Sequence, residues 1–111
     1  MSAPDEDCLF CRIVAGEVPA DVVHRSERSL AFRDIDPKAP THVLVVPLAH
    51  HCNAAELAEK DPATLADMFT VDQEEIIGYR TVFNTGAEAG QTVFHAHLHL
   101  LGGRSLTWPP G

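Results

Sequence analysis

Apolar residues and histidines alternate along one short stretch of the chain. Phe94, Ala96, Leu98 and Leu100 interleave with His95, His97 and His99. Side chains of a β-strand point to opposite faces in turn, so a strand over 91–101 puts the three imidazoles on one face and the apolar set on the other. A helix would scatter the same histidines at about 0°, 200° and 400° around its axis and form neither face. The rest of the pattern sorts around this strand. Leu9, Phe10, Ile13 and Val14 give one side of a short helix that begins after Cys8 and stops at Gly16. Val22 to Ser26 and Ser29 to Ile35 read as two strands joined by a turn at Glu27-Arg28. Asp36-Pro37-Lys38-Ala39-Pro40 is a loop, since two prolines and an Asx residue oppose regular structure. His42 to Pro47 is almost wholly apolar and β-branched, the mark of a central strand buried on both faces.

Asp61-Pro62 reads as an N-cap followed by proline at the first helical turn, and Leu65, Met68 and Phe69, continuing toward Asp72 or Gln73, keep a period near 3.6. Tyr79 to Asn84 reads as a strand alternating inside and outside, and Thr85 to Gly90 as a glycine-containing turn. The expected fold is therefore α+β: an antiparallel five-stranded sheet, one main helix and a short N-terminal helix. The helix near Leu65 to Phe69 must cover the apolar face of the histidine strand, which leaves the imidazoles to line a cleft.

Composition narrows the class. The chain has 111 residues, 45% hydrophobic and 22% charged, which fits one globular domain, expected over 8–111 behind a flexible acidic segment at 1–7. A core this small makes a dimer a reasonable expectation. A net charge of −8 argues against general nucleic-acid binding, which depends on cationic side chains, though it leaves room for one small phosphorylated ligand. No apolar run reaches the roughly 20 residues of a membrane span, and Met1 to Asp7 lacks a basic-then-apolar leader, so the expected location is the cytoplasm.

Three histidines in register point to acid–base or nucleophilic chemistry, or to metal ligation, because imidazole does both near neutral pH. Cys8 and Cys11 form a C-x-x-C pair, the spacing of half a zinc site or simply two thiols at a helix start. Cys52 reads as an unpaired thiol, and His24 and His51 as surface histidines.

His95-Ala96-His97-Leu98-His99-Leu100-Leu101 resembles the histidine-triad motif, His-φ-His-φ-His-φ-φ with φ apolar. Leu30 to Ile35, Ala39 to Pro47, Gly78-Tyr79-Arg80, Gly102-Gly103-Arg104 and Trp108-Pro109-Pro110-Gly111 resemble the Hint branch of that family, and the likeness spans about residues 8 to 111. The resemblance implies a homodimeric hydrolase or transferase acting on the 5′ α-phosphate of a purine nucleotide. Such proteins cleave nucleoside phosphoramidates, typically of adenosine, through a covalent nucleotidyl-histidine. By position, His97 would be the nucleophile, His99 would hold the phosphate or protonate the leaving group, and His42 would support the cluster. Asp34 matches the ribose-hydroxyl acceptor and Phe32 and Ile35 the base pocket. Asn84, Gly90, Gln91 and Thr92 match positions around the phosphate, and Trp108 belongs to the tail that shapes the partner's site. The resemblance also adds His50 and His95 to Cys8 and Cys11 as a structural zinc site, not required for the chemistry.

Rival readings follow from the same residues: a zinc hydrolase with His95, His97 and His99 on one metal, a dinucleoside-polyphosphate hydrolase, and a non-catalytic nucleotide-binding protein. The segment 61–78 is shorter than the long helix of the family, which bears on the dimer interface.

Overall fold

A computed structural model describes residues 7–71 and 78–111. The flexible segment expected at 1–7, apart from Asp7, and the continuation of the main helix through Asp72 and Gln73 lie outside the described residues. Helix α1 (Leu9–Val14) is followed by strands β1 (Val22–Arg25), β2 (Ser29–Arg33) and β3 (Thr41–Pro47). Helices α2 (Ala54–Lys60) and α3 (Pro62–Met68) come next, then β4 (Tyr79–Phe83), a 3-10 turn (Ala87–Ala89) and β5 (Leu98–Gly102). The five strands form one antiparallel sheet in the order β1-β2-β3-β5-β4.

β3 sits in the middle because almost every residue in it is apolar. Val43 and Val45 face one side and join Ala31, Leu57, Met68, Val71, Ala96, Leu98 and Leu100 in one buried cluster. Leu44 and Val46 face the other and join Leu30, Phe32, Phe10, Cys8 and Cys11. The first cluster lies under α2 and α3. Leu57 and Met68 are 0% exposed, and full burial of such a side chain contributes on the order of 1.5–3 kcal/mol. The second cluster is closed by α1, whose Cys8 N-cap accepts from the Cys11 amide and whose end is marked by Gly16 at φ +81°.

Four expectations are corrected. The histidine strand is shorter than 91–101: it begins at Leu98, and His95 and His97 sit in the irregular segment before it. The cause is a competing bond, since the Ala96 amide donates to the His51 carbonyl at 2.7 Å rather than to a strand neighbour. Phe94 consequently lies outside the core, 51% exposed. The one main helix is two seven-residue helices, because Asn53 caps α2 and Asp61, with Pro62 behind it, ends α2 and caps α3. β4 does not alternate: it is an edge strand, exposed at Tyr79 and half-buried after it. His51 is not on the surface; it is buried, with Nδ1 3.6 Å from Glu56 Oε1. Among the described residues no helix is long and apolar enough to cross a membrane.

Candidate active site

Backbone groups fix the proton positions of His42, His95 and His97, and through His42 that of His99. The Lys38 amide donates to His42 Nδ1 at 2.9 Å. An amide can only donate, so His42 Nδ1 accepts and the neutral ring carries its proton on Nε2. That Nε2–H then donates to His99 Nδ1, 2.9 Å away. His99 in turn must hold its proton on Nε2, a buried atom with no hydrogen-bond partner among the described residues. His97 is set in the opposite sense. Its Nδ1–H donates to the His95 carbonyl at 2.9 Å, which leaves Nε2 with a free lone pair. The His97 and His99 rings lie 5.0 Å apart between centroids, one with a nitrogen lone pair to offer and the other with an unpartnered N–H.

Electrostatics keeps these rings neutral. Burial is the first cause that lowers the pKa of His42, His97 and His99, and it takes His99 to about 4, helped by the neighbouring His97 and His42. Asp34 works the other way on each of them without reversing the direction. Its Oδ2 is 3.3 Å from His42 Nε2, close to a neutral ring, while its Oδ1 accepts from the Asp36 amide at 2.9 Å. The loop 36–40 that supplies the Lys38 amide is pinned from the chain end, where Arg104 donates to the Lys38 carbonyl at 3.1 Å.

His97 and His99 open onto a cleft of about 890 Å³ whose other walls include Phe32, Asp34, Ile35 and Thr92. Phe32 is buried, whereas Ile35 is wholly exposed at the rim. Leu9, Phe10 and Ile13 of α1 also line this space, and the sequence reading missed them. Their signal was the i, i+1, i+4 spacing, read there only as one side of a short helix. The Phe10 ring stands edge-on to His97 at 5.0 Å between centroids.

Asn84, Gly90, Gln91 and Trp108 are not among the residues that line this cleft. Gly90 has φ +99°, with Asn84 Nδ2 3.9 Å from where a Cβ would be. The Gln91 side chain is spent on backbone: Oε1 accepts from the Gly86 amide, and Nε2 donates to the Cys52 and Val93 carbonyls. It braces the turn that presents Thr92. Trp108 does not line this cleft; it is 79% exposed, with Arg80 5.8 Å over its ring.

A second cluster joins Cys8, Cys11, His50 and His95, whose ligand atoms all lie within 4.8 Å of one another. His95 Nε2–H donates to the Pro47 carbonyl at 2.9 Å, which turns the Nδ1 lone pair toward Cys8 Sγ at 3.3 Å and Cys11 Sγ at 3.4 Å. His50 Nδ1 is 3.3 Å from Cys11 Sγ. A tetrahedral zinc with bonds of about 2.3 Å to sulfur and about 2.0–2.1 Å to nitrogen would set these atoms about 3.5 Å apart. The donor set and its spacing fit such an ion. Burial lowers the His95 pKa to about 4, keeping the lone pair available. His95, His97 and His99 do not share one ligand point: His95 turns to the thiols and His99 Nδ1 to His42.

The HIT domain family matches residues 15–106. An uncharacterized HIT-like protein of Synechococcus elongatus is 49% identical over 112 residues, covering 96% of this chain and 98% of that protein. A 14 kDa zinc-binding protein of Zea mays is 41% identical over 115 residues, covering 96% of this chain and 90% of its own. The crystal structure of a HIT family hydrolase from Legionella pneumophila superposes with a TM-score of 0.88 at 47% identity, covering 95% of this chain and 100% of that one. Sequence, fold and the shared length of these proteins place the chain in the HIT domain family.

Proposed function

We propose that the chain is a Hint-like purine nucleoside phosphoramidase that attacks the 5′ α-phosphate through His97. The observation that carries this reading is the opposed protonation of two neighbouring rings that line one cleft: His97 with its Nε2 lone pair free and His99 with an unpartnered Nε2–H. The HIT family hydrolase from Legionella pneumophila supports hydrolysis as the class of reaction. In the first step His97 Nε2 forms a bond to phosphorus, and the P–N bond breaks. The leaving nitrogen keeps the electron pair and takes up a proton from solvent. The nucleotidyl imidazolium so formed is steadied by the His95 carbonyl on its Nδ1–H. Water then attacks the same phosphorus, the P–N bond to His97 breaks, and a proton is released with the nucleoside monophosphate.

His99 donates to a phosphoryl oxygen in this scheme. Neutral and protonated only on Nε2, it suits holding charge as it develops better than giving a proton away. His42 fixes that tautomer. Phe32 and Ile35 contact the base, Asp34 accepts from a ribose hydroxyl, and Thr92, with Gly90 and Asn84 beside it, meets the phosphate. Zinc at Cys8, Cys11, His50 and His95 is structural: it would tie α1 to the segment that carries His97, and the zinc-binding protein of Zea mays supports that assignment. The edge position of β4, with exposed Tyr79 and the exposed Trp108 tail, supports a homodimer in which the tail meets the partner. Base-quenched intact-mass analysis during turnover of an adenosine phosphoramidate tests the scheme, since the phosphorus–nitrogen bond to imidazole survives alkali and not acid. A nucleotidyl adduct on His97, absent in His97→Ala, is expected; turnover at normal rate in His97→Ala would overturn it.

A further inference from the structure

Helix α1 belongs to both sites at once. Cys8 and Cys11, at its N-cap and on its first turn, supply both thiols of the Cys/His cluster. Leu9, Phe10 and Ile13, between and after them, wall the cleft. Phe10 makes the link tightest: its ring meets His97 at 5.0 Å, His95 at 6.0 Å and Phe32 at 5.7 Å between centroids. At six residues, α1 is far below the roughly 12–15 that a helix needs to persist alone in water. Its position is therefore set by what holds it from outside, and the described structure offers two holds: the thiol cluster and the packing around Phe10. A ligand that fixes either one fixes the other.

We propose that the metal cluster and the cleft are thermodynamically coupled through α1. A metal bound by Cys8, Cys11, His50 and His95 raises affinity for the base-bearing part of a nucleotide, and a bound nucleotide raises affinity for the metal by the same factor. The equality is required by linkage. The proposal rests on the reading of the cleft as a nucleotide site. It gives the metal a role in ligand affinity while leaving it out of the chemistry. It also assigns Phe10 as the positioning residue through which the coupling runs. A second route, from His95 to His97 through the His95 carbonyl, would act on the phosphate end whatever the base.

The test is a titration of metal-stripped full-length protein with Co²⁺, read by thiolate-to-cobalt charge-transfer absorption. It is done alone, with saturating adenosine 5′-monophosphate, and with saturating ribose 5-phosphate, and circular dichroism follows the sheet. The adenosine nucleotide is expected to tighten Co²⁺ binding by about fivefold or more, the lower end of ordinary coupling. Ribose 5-phosphate, which lacks the base, is expected to leave it nearly unchanged. Phe10→Leu keeps both thiols and is expected to show the same absorption band with the coupling factor reduced toward one.

Equal Co²⁺ affinity with and without bound adenosine nucleotide would overturn the coupling and leave the nucleotide reading standing. So would an equal effect of ribose 5-phosphate, or an undiminished factor in Phe10→Leu. Failure of the metal-loaded protein to bind the adenosine nucleotide would overturn both readings. Absence of a thiolate band, or loss of the sheet on stripping, would overturn the role given to α1.

Discussion

Replacing His42 with asparagine separates the two hydrogen bonds on which the proposed site depends. His42 is 5% exposed and connects the Lys38 amide to His99, with 2.9 Å on each side. The asparagine Oδ1 falls near the place of imidazole Nδ1, so the bond from Lys38 survives. The donation to His99 Nδ1 does not. A hydrogen bond lost with a buried acceptor left unmet costs about 1–3 kcal/mol, to which the missing ring volume adds, so His42→Asn is expected to lose about 2–3 kcal/mol in urea unfolding. The larger consequence is chemical. Without the bond from His42, His99 is free to place its proton on Nδ1 and turn a lone pair toward the phosphate. We expect kcat to fall roughly tenfold to hundredfold with little change in KM, since the lost contact matters most as charge builds in the transition state. Long-range ¹⁵N–¹H spectra of the imidazoles read the tautomer directly. Wild type should show His99 as the Nε2–H form, and His42→Asn a mixture. A variant that keeps the Nε2–H form of His99 and an unchanged kcat would refute the reasoning.

Three further outcomes follow from the same geometry. Gly103 has φ +85°, and a Cβ there would lie 2.9 Å from Pro40 Cβ, so Gly103→Ala is expected to cost about 1–3 kcal/mol in denaturant titration and to loosen the loop that positions Lys38. Cys11→Ser is expected to lower the Tm of zinc-loaded protein and to abolish the drop in Tm that a strong chelator causes in wild type. The pH dependence has a definite sign. His42, His97 and His99 titrate lower in the folded protein than the ordinary value of 6.5, and His99 at about 4. The unfolded chain therefore binds more protons in that window, and stability present above about pH 6.5 is lost as pH falls toward 4. Urea unfolding across pH 4–7 checks this, and the acid limb of kcat/KM is expected to lie below 6.5, since His97 stays neutral there.

Much of the fold was readable from the pattern because local rules and tertiary demands agreed. β3 announced its two buried faces through an unbroken apolar run, and α1 was bounded by Cys8 and Gly16 as its packing requires. Elsewhere they diverged. The histidine alternation gave the right faces from Ala96 to Leu100 but not the strand start, because His95 is drawn to Cys8, Cys11 and Pro47 and the Ala96 amide leaves the sheet for His51. Helix α2 was missed although Asn53 and Glu56 mark its start, with Asn53 Oδ1 accepting from the Glu56 amide. Seven residues ending at an Asp-Pro junction carry too little periodicity to stand out. At the site, the residue types were legible and the proton positions were not. Those are set by the Lys38 amide and the Pro47 and His95 carbonyls, groups that every sequence contains.

The most direct test of the central claim is hydrolysis of a fluorogenic adenosine phosphoramidate by wild type and His97→Ala, each with and without a strong chelator, at substrate well above KM. The account predicts turnover that is lost with His97 and persists in folded, chelator-treated protein. Turnover in His97→Ala, or activity that disappears with the metal from a still-folded chain and returns with added zinc, would contradict it.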